Sequence, residues 1–425
     1  MMHAEVSPRT ARVLPWARQY LPAFISYLLM GYVAVLPFTP LLVLERNGFL
    51  LLLGLLVLWC VSNRKLFFTR TPYDVMLFSF VLWIGLTLPF SISPLYSLKE
   101  YGKLLQQVAI FYAVIYFLRE DRYRRALFYI VGAAAIVVAA YGLTQFNLAN
   151  PQAVKSFLPA EVWLTTFLVM VFPFAFALVF GSGPLEAKWT AIVACCLFVG
   201  CLLITQSRAG LVAFIAELCL MAWLLRSLKA KIVAGVVTLC LLMAVVLAIK
   251  VDFSKERDPM REARAALPVQ TSLSSIVHRL DIWAFTMSEI VKHGLVGIGY
   301  GSHSYLLTYG EEKEVVTEGH AAVKRAGTHN IFLYLALHVG LPGVVLFGWL
   351  YYTLVLRTVR EYRTATHWMQ QGILAGSAGS LVGLLCRLQF DQMLVGSLAV
   401  FFWVLLAIAV LQYPSLKAEA KSSLA

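Results

Sequence analysis

The sequence predicts an all-α polytopic membrane protein, and three observations carry that prediction. Of 425 residues, 60% are hydrophobic and 13% charged, with a mean hydropathy of +0.78, whereas soluble domains carry about 25% charged residues. The apolar residues fall in continuous runs close to the about 20 residues that cross a bilayer as a helix, without the alternation of a strand barrel. Cations gather in every second connection between those runs.

Taken in order, the runs predict about twelve transmembrane helices, at roughly 22–43, 48–62, 73–91, 101–118, 126–143, 161–181, 189–205, 209–225, 232–249, 331–356, 370–386 and 393–411. Arg9, Arg12 and Arg18 precede the first run without a small-residue cleavage pattern, which favours a retained span over a removed signal peptide. With a cytoplasmic N-terminus, the inner connections hold Arg64, Lys65 and Arg70, then Arg119, Arg122, Arg124 and Arg125, then Arg226, Lys229 and Lys231, then Arg357, Arg360 and Arg363. The short outer connections are poorer, with Arg46, Lys99 and Lys155 as typical cations. This asymmetry places a long polar segment, 251–330, outside the cytoplasm. It divides the chain into helices one to nine (1–250), a large outer loop (251–330), and helices ten to twelve with a short tail (331–425). Pro414 marks the break before that tail.

Several function classes drop out. The formal net charge of +13 is explained by the inner connections, so nucleic acid is not an expected partner; membrane lipids are. None of the seven cysteines lies in 251–330, so neither a disulfide framework nor a thiolate metal site is expected there. No acidic pair or His/Asp cluster has metal-ligand spacing, and the glycine-rich GHGLVGIGYGSHS stretch lacks the Lys-Ser/Thr of a nucleotide loop. No metal and no cofactor is expected. The glycines Gly294, Gly297, Gly299 and Gly301 instead predict a chain turned close against the membrane face.

The loop itself contains SIVHRLDIWAFTMSEIVKHG, where Ile276, Leu280, Trp283, Met287 and Ile290 recur at three- and four-residue intervals, an amphipathic helix. The topology brings to the same outer face Arg208 in TQSRAG, Arg279 and Asp281 at the start of that helix, Lys324, Arg325, His329 and Asn330 before the tenth span, and Arg387, Gln389, Asp391 and Gln392 in CRLQFDQ. Ionisable groups at span edges are functional candidates. Arg208 offers a five-donor fork matching phosphate oxygens at the start of a helix, or it snorkels to lipid headgroups. Arg279 and Asp281 are two residues apart and do not face each other on a helix, so Arg279 is free to serve a site while Asp281 makes a local contact, unless both lie on a solvated face. Lys324 and Arg325 add positive charge for an anionic substrate. His329 is the candidate base, since imidazole titrates nearest working pH, and helix dipole and nearby cations would disfavour its charged form; the alternative is a histidine capping or solvating the helix end, with Thr328 or Asn330 able to do the capping instead. Asp391 either orients a catalytic group or forms a local i,i+4 pair with Arg387. Glu311, Glu312, Glu314 and Glu318 read as a solvated acidic run, and neither His278 nor His293 is given a role.

These pieces, in this order around one large loop, resemble the bacterial O-antigen ligase and polymerase superfamily, most of all the lipid A core–O-antigen ligases. The resembling residues are SRAG at Ser207–Gly210, HRLDIW at His278–Trp283, GIGYGS at Gly297–Ser302, and THNIFLYLALHVGLPG at Thr328–Gly343. The resemblance implies an inner-membrane, metal-independent, inverting glycosyltransferase with a GT-C-like helical fold, a periplasmic loop and a periplasmic active site. Its donor would be O-antigen polysaccharide on undecaprenyl pyrophosphate, and its acceptor an outer-core sugar of lipid A core. The essential family arginines would fall on Arg208 and Arg279, the essential histidine on His329, and a further acidic position on Asp391. Polymerisation onto a second lipid-linked repeat and protein O-oligosaccharide ligation need the same donor chemistry. A multispan transporter would instead place charges near span midpoints.

Overall fold

The computed structural model describes residues 8–147, 154–205, 207–225, 227–240, 243, 272–309, 327–392 and 394–414. The described residues are helical throughout their regular structure: α1 (Pro8–Val35), α2 (Leu42–Asn63), α3 (Asp74–Thr87), α4 (Pro94–Phe117), α5 (Asp121–Thr144), α6 (Glu161–Phe180), α7 (Leu185–Ile204), α8 (Arg208–Leu224), α9 (228–240), α10 (Ser272–His293), α11 (Ser304–Tyr309), α12 (Ile331–Thr364), α13 (Trp368–Arg387) and α14 (Gly396–Val410). Among them six segments are long and apolar enough to cross a membrane, and three shorter helical stretches are strongly apolar. Every predicted span overlaps a helix, the ninth as far as residue 240. Lys324, Arg325, the acidic run Glu311–Glu318 and the front of the loop, 251–270, lie outside the described residues.

The connections alternate between two ends of the bundle, and hydrogen bonds tie each end together. At one end Thr39 N donates to Phe157 O (3.1 Å), Ile92 N to Ile298 O (3.0 Å), and Ile331 N to Leu388 O (2.9 Å), while Ser397 Oγ donates to Glu45 (2.7 Å). At the other, Arg124 Nη1 donates to Leu411 O (2.8 Å) and Gln370 Nε2 to Gln412 O (2.8 Å). A chain that must satisfy its backbone inside each helix has to turn at the ends, which is why both sets of turns collect there.

The centre is the α6–α8–α13 contact. Gly372, Gly376, Gly379 and Gly383 form a stripe along α13. A Cβ at Gly376 would lie 2.6 Å from Phe174 Cα of α6, and one at Gly383 would overlap Glu217 of α8. Small residues let spanning helices approach backbone to backbone, where dispersion rather than water exclusion holds them. That approach brings the start of α8, with Arg208, to the same end of the bundle as the finish of α13, with Arg387.

α12 is two helices in line. Gly340 has φ 78° and ψ 171°, and Pro342 follows. The break frees carbonyls that the loop and α3 then take up: Ile298 N donates to Leu337 O (2.8 Å), Gly299 N to His338 O (3.0 Å), and the Trp83 indole to Val339 O (2.8 Å). Leu341 N donates in return to Gly294 O (2.8 Å). Unsatisfied backbone groups at membrane depth are costly, so the glycine-rich stretch is the complement of the kink. The glycine-rich stretch does turn, with positive φ at Gly297, Gly299 and Gly301, and what it turns against is the α12 break.

α10 is the predicted amphipathic helix, but its buried face differs from the predicted stripe. Ile282, Thr286, Glu289 and Ile290 are buried, whereas Leu280 and Met287 are each 55% exposed. Tyr309 donates to Glu289 (3.1 Å) and Lys292 pairs with it (2.6 Å). Of the predicted stripe Ile290 faces the bundle and Trp283 is half-buried, so the buried face is rotated toward Ile282 and Glu289 rather than reversed.

Candidate active site

Two segments meet at the His329 end, 327–331 before α12 and 388–392 after α13. Asn330 is the N-cap of α12: its side-chain oxygen accepts from Phe332 N (2.9 Å) and Leu333 N (3.2 Å), and its amide donates to Gln389 Oε1 (3.2 Å). Thr328 Oγ1 donates to Gln392 Oε1 (2.8 Å). Asn330 does the capping, so the capping alternative for His329 falls away.

His329 itself has φ 47°, a left-handed conformation uncommon for a residue with a Cβ. Its Nδ1 lies 2.7 Å from Asp391 Oδ1. The other Asp391 oxygen accepts from Arg387 Nη1 (3.1 Å), and that guanidinium is 1% exposed. α13 ends at Arg387, so this pair bridges a turn rather than a helix face. One Asp391 oxygen therefore makes the ion pair while the other contacts the imidazole.

Burial alone would raise the Asp391 carboxyl, but the His329 hydrogen bond and the charges of Arg387, His329 and Arg279 outweigh it and hold the group below the usual carboxylate range. Arg279, half-buried near the start of α10, is thereby part of the cluster: its charge reaches both Asp391 and Arg387. Arg208 opens α8 at the same end, exposed, with Ser207 capping that helix by accepting from Gly210 N (3.2 Å). Asp281 is exposed. The sequence reading put Asp391 on the same face as His329 with its partner open, and the structure places that carboxylate directly on the ring.

With Nδ1–H donated to Asp391, the imidazole would present Nε2 as an acceptor, the arrangement of a general base whose tautomer is fixed by a carboxylate. The positive groups beside it suit a multiply charged anion such as a diphosphate.

Residues 193–348 match the O-antigen ligase family model. The matched stretch takes in Arg208, Arg279, His329 and the glycine-rich complement of the α12 kink. It ends before Arg387 and Asp391, so the carboxylate partner of His329 comes from outside it. No curated protein matches the chain.

Sequence reasoning also passed over Glu100, Lys103 and Gln107 on α4. Their three- and four-residue spacing at the outer end of a span was the available signal.

Proposed function

We propose that this protein is an O-antigen ligase, transferring polysaccharide from undecaprenyl pyrophosphate to an outer-core sugar of lipid A core at the periplasmic face of the inner membrane. The observation that carries the reading is His329 held on Asp391 among Arg387 and Arg279, with His329 and Arg279 inside the matched stretch. The acceptor hydroxyl attacks the anomeric carbon of the donor sugar, the bond to the lipid pyrophosphate breaks with inversion, and the hydroxyl proton passes to His329 Nε2. Asp391 stabilises the imidazolium that forms. Arg208 and Arg279 stabilise the departing pyrophosphate, with Lys324 and Arg325 adding charge; contacts that strengthen as leaving-group charge develops lower the barrier rather than only binding the substrate. The twelve-span, GT-C-like architecture belongs to the same reading.

Purified protein given lipid-linked polysaccharide with either lipid A core or a second lipid-linked repeat decides between ligation and polymerisation by the product formed. Transfer to lipid A core is the expected result, and exclusive elongation of the repeat would move the assignment to a polymerase. Arg208→Ala and Arg279→Ala should each nearly abolish transfer while the protein still inserts. Full activity in either removes the arginines from the mechanism. His329→Ala should lose roughly 10²–10⁴-fold, the usual contribution of a positioned base.

A further inference from the structure

Beside the His329 cluster lies a cavity of ≈ 200 Å³ between α3, α4, α12 and α14. Gln392, which adjoins Asp391 and accepts from Thr328, forms part of its wall, as does Ile331, two residues beyond His329. Its polar side is one face of α4, where Glu100, Lys103 and Gln107 follow at three- and four-residue intervals. Lys103 pairs with Glu100 (2.6 Å), so this face carries no net charge. The Gln107 amide is oriented, its oxygen accepting from the Trp403 indole (3.1 Å).

The roof is the turn Tyr300–His303, and it sits close: a Cβ at Gly301 would lie 2.7 Å from Glu100 Cγ, and His303 N donates to Tyr96 Oη (3.0 Å). None of Arg208, Arg279 or Arg387 lines the cavity. The two are therefore divided by charge, with arginines around Asp391 and, beside them, a mostly apolar chamber whose few polar groups include Glu100, Lys103, Gln107 and Gln392. Pockets for drug-sized ligands run about 300–1,000 Å³, and this smaller one has room for a single ring.

We propose that this chamber is the acceptor subsite, holding one neutral sugar unit against Glu100 and Gln107 so that its hydroxyl faces His329. The proposal rests on the glycosyl-transfer reading above. The paired carboxylate accepts from sugar hydroxyls, the amide of Gln107 adds a second polar contact, and the aromatic faces of Tyr300 and Trp403 supply apolar surface for the ring's C–H groups.

Initial rates with polysaccharide on undecaprenyl pyrophosphate as donor and lipid A core as acceptor test it in Glu100→Ala and Gln107→Leu. Each should raise the acceptor KM about tenfold, the size of one lost hydrogen bond to a charged or oriented group, with the donor KM unchanged. A rise in donor KM instead would assign the chamber to the lipid-linked donor, and two unchanged KM values would give it no role in binding; either result overturns the proposal while leaving the transferase reading intact. No transfer by the unsubstituted protein would overturn the reading and the proposal together. Elution volume and melting temperature in detergent establish folding, and Glu100→Met, which keeps the side-chain size and removes the accepting oxygens, replaces the alanine variant if that one fails to fold. It is expected to show the same rise in acceptor KM.

Discussion

His329 occupies the left-handed region of backbone space, where a side chain costs of order 1–3 kcal/mol unless its surroundings hold it. Here they do: Asn330 caps the following helix, Ile331 N is tied to Leu388 O, and Asp391 holds the ring. The roles of Asp391 in binding His329 and in neutralising Arg387 can be separated by substitution. Asp391→Ala leaves a guanidinium buried without its partner and should destabilise by roughly 3–5 kcal/mol. Asp391→Asn keeps the shape and loses the charge, so transfer should fall much further than melting temperature. Because the Asp391 carboxyl is held below the usual carboxylate range, its stabilisation is present above the unfolded value and disappears as pH falls through the folded one. Melting temperatures of the unsubstituted and Asp391→Asn proteins should therefore converge only below about pH 4; convergence near neutrality would contradict the assignment. That His329 and Arg208 lie at one end of the bundle was legible in the sequence, because successive apolar runs must alternate in direction. The contact of His329 with Asp391 was not, because the imidazole and its carboxylate are 62 residues apart and meet only when α12 and α13 have packed.

At the scale of elements, the break in α12 and the glycine-rich stretch define each other. A Cβ at Gly297 would lie 2.3 Å from the His338 carbonyl carbon, on a backbone with φ 76°. Gly297→Ala should therefore cost about 1–3 kcal/mol or more and lower the melting temperature measurably. Gly348, further along α12, has nothing within 4 Å of its Cβ position, and Gly348→Ala should be neutral or stabilising by about 0.5–1 kcal/mol. Equal effects at the two positions would show that the interlock does not hold the kink. The sequence announced the turn through its glycines, yet it could not say which carbonyls the turn would serve. For α10 it announced an amphipathic helix without saying which side would meet the protein. Periodicity finds an apolar stripe, but in a membrane protein apolar surface has two destinations, lipid or protein, and here Ile282, Glu289 and Ile290 face inward while Leu280 and Met287 do not.

For the whole molecule, continuous apolar runs and alternating cations foretold an all-helical bundle threaded between two ends, and the hydrogen bonds at each end agree with that threading. The small-residue stripe on α13 that centres the bundle was present in the sequence as four glycines, without any sign of which helices they would receive. Assigning the His329 end to the periplasm can be checked with single cysteines in a background stripped of the native seven. An impermeant thiol reagent should modify Lys99→Cys in intact cells and Ser182→Cys only after the membrane is opened, since both positions are exposed and lie at opposite ends; the reverse pattern would invert the topology. The break at Gly340 has a mechanical meaning at this scale. It makes the head of α12 a short strut, pinned above by Leu388 and alongside by Ile298 and Gly299, while the longer shaft continues to Thr364. These three bonds all fall on the head's side of the break, so the seat of the imidazole is set by the loop and the α13 turn rather than by the shaft.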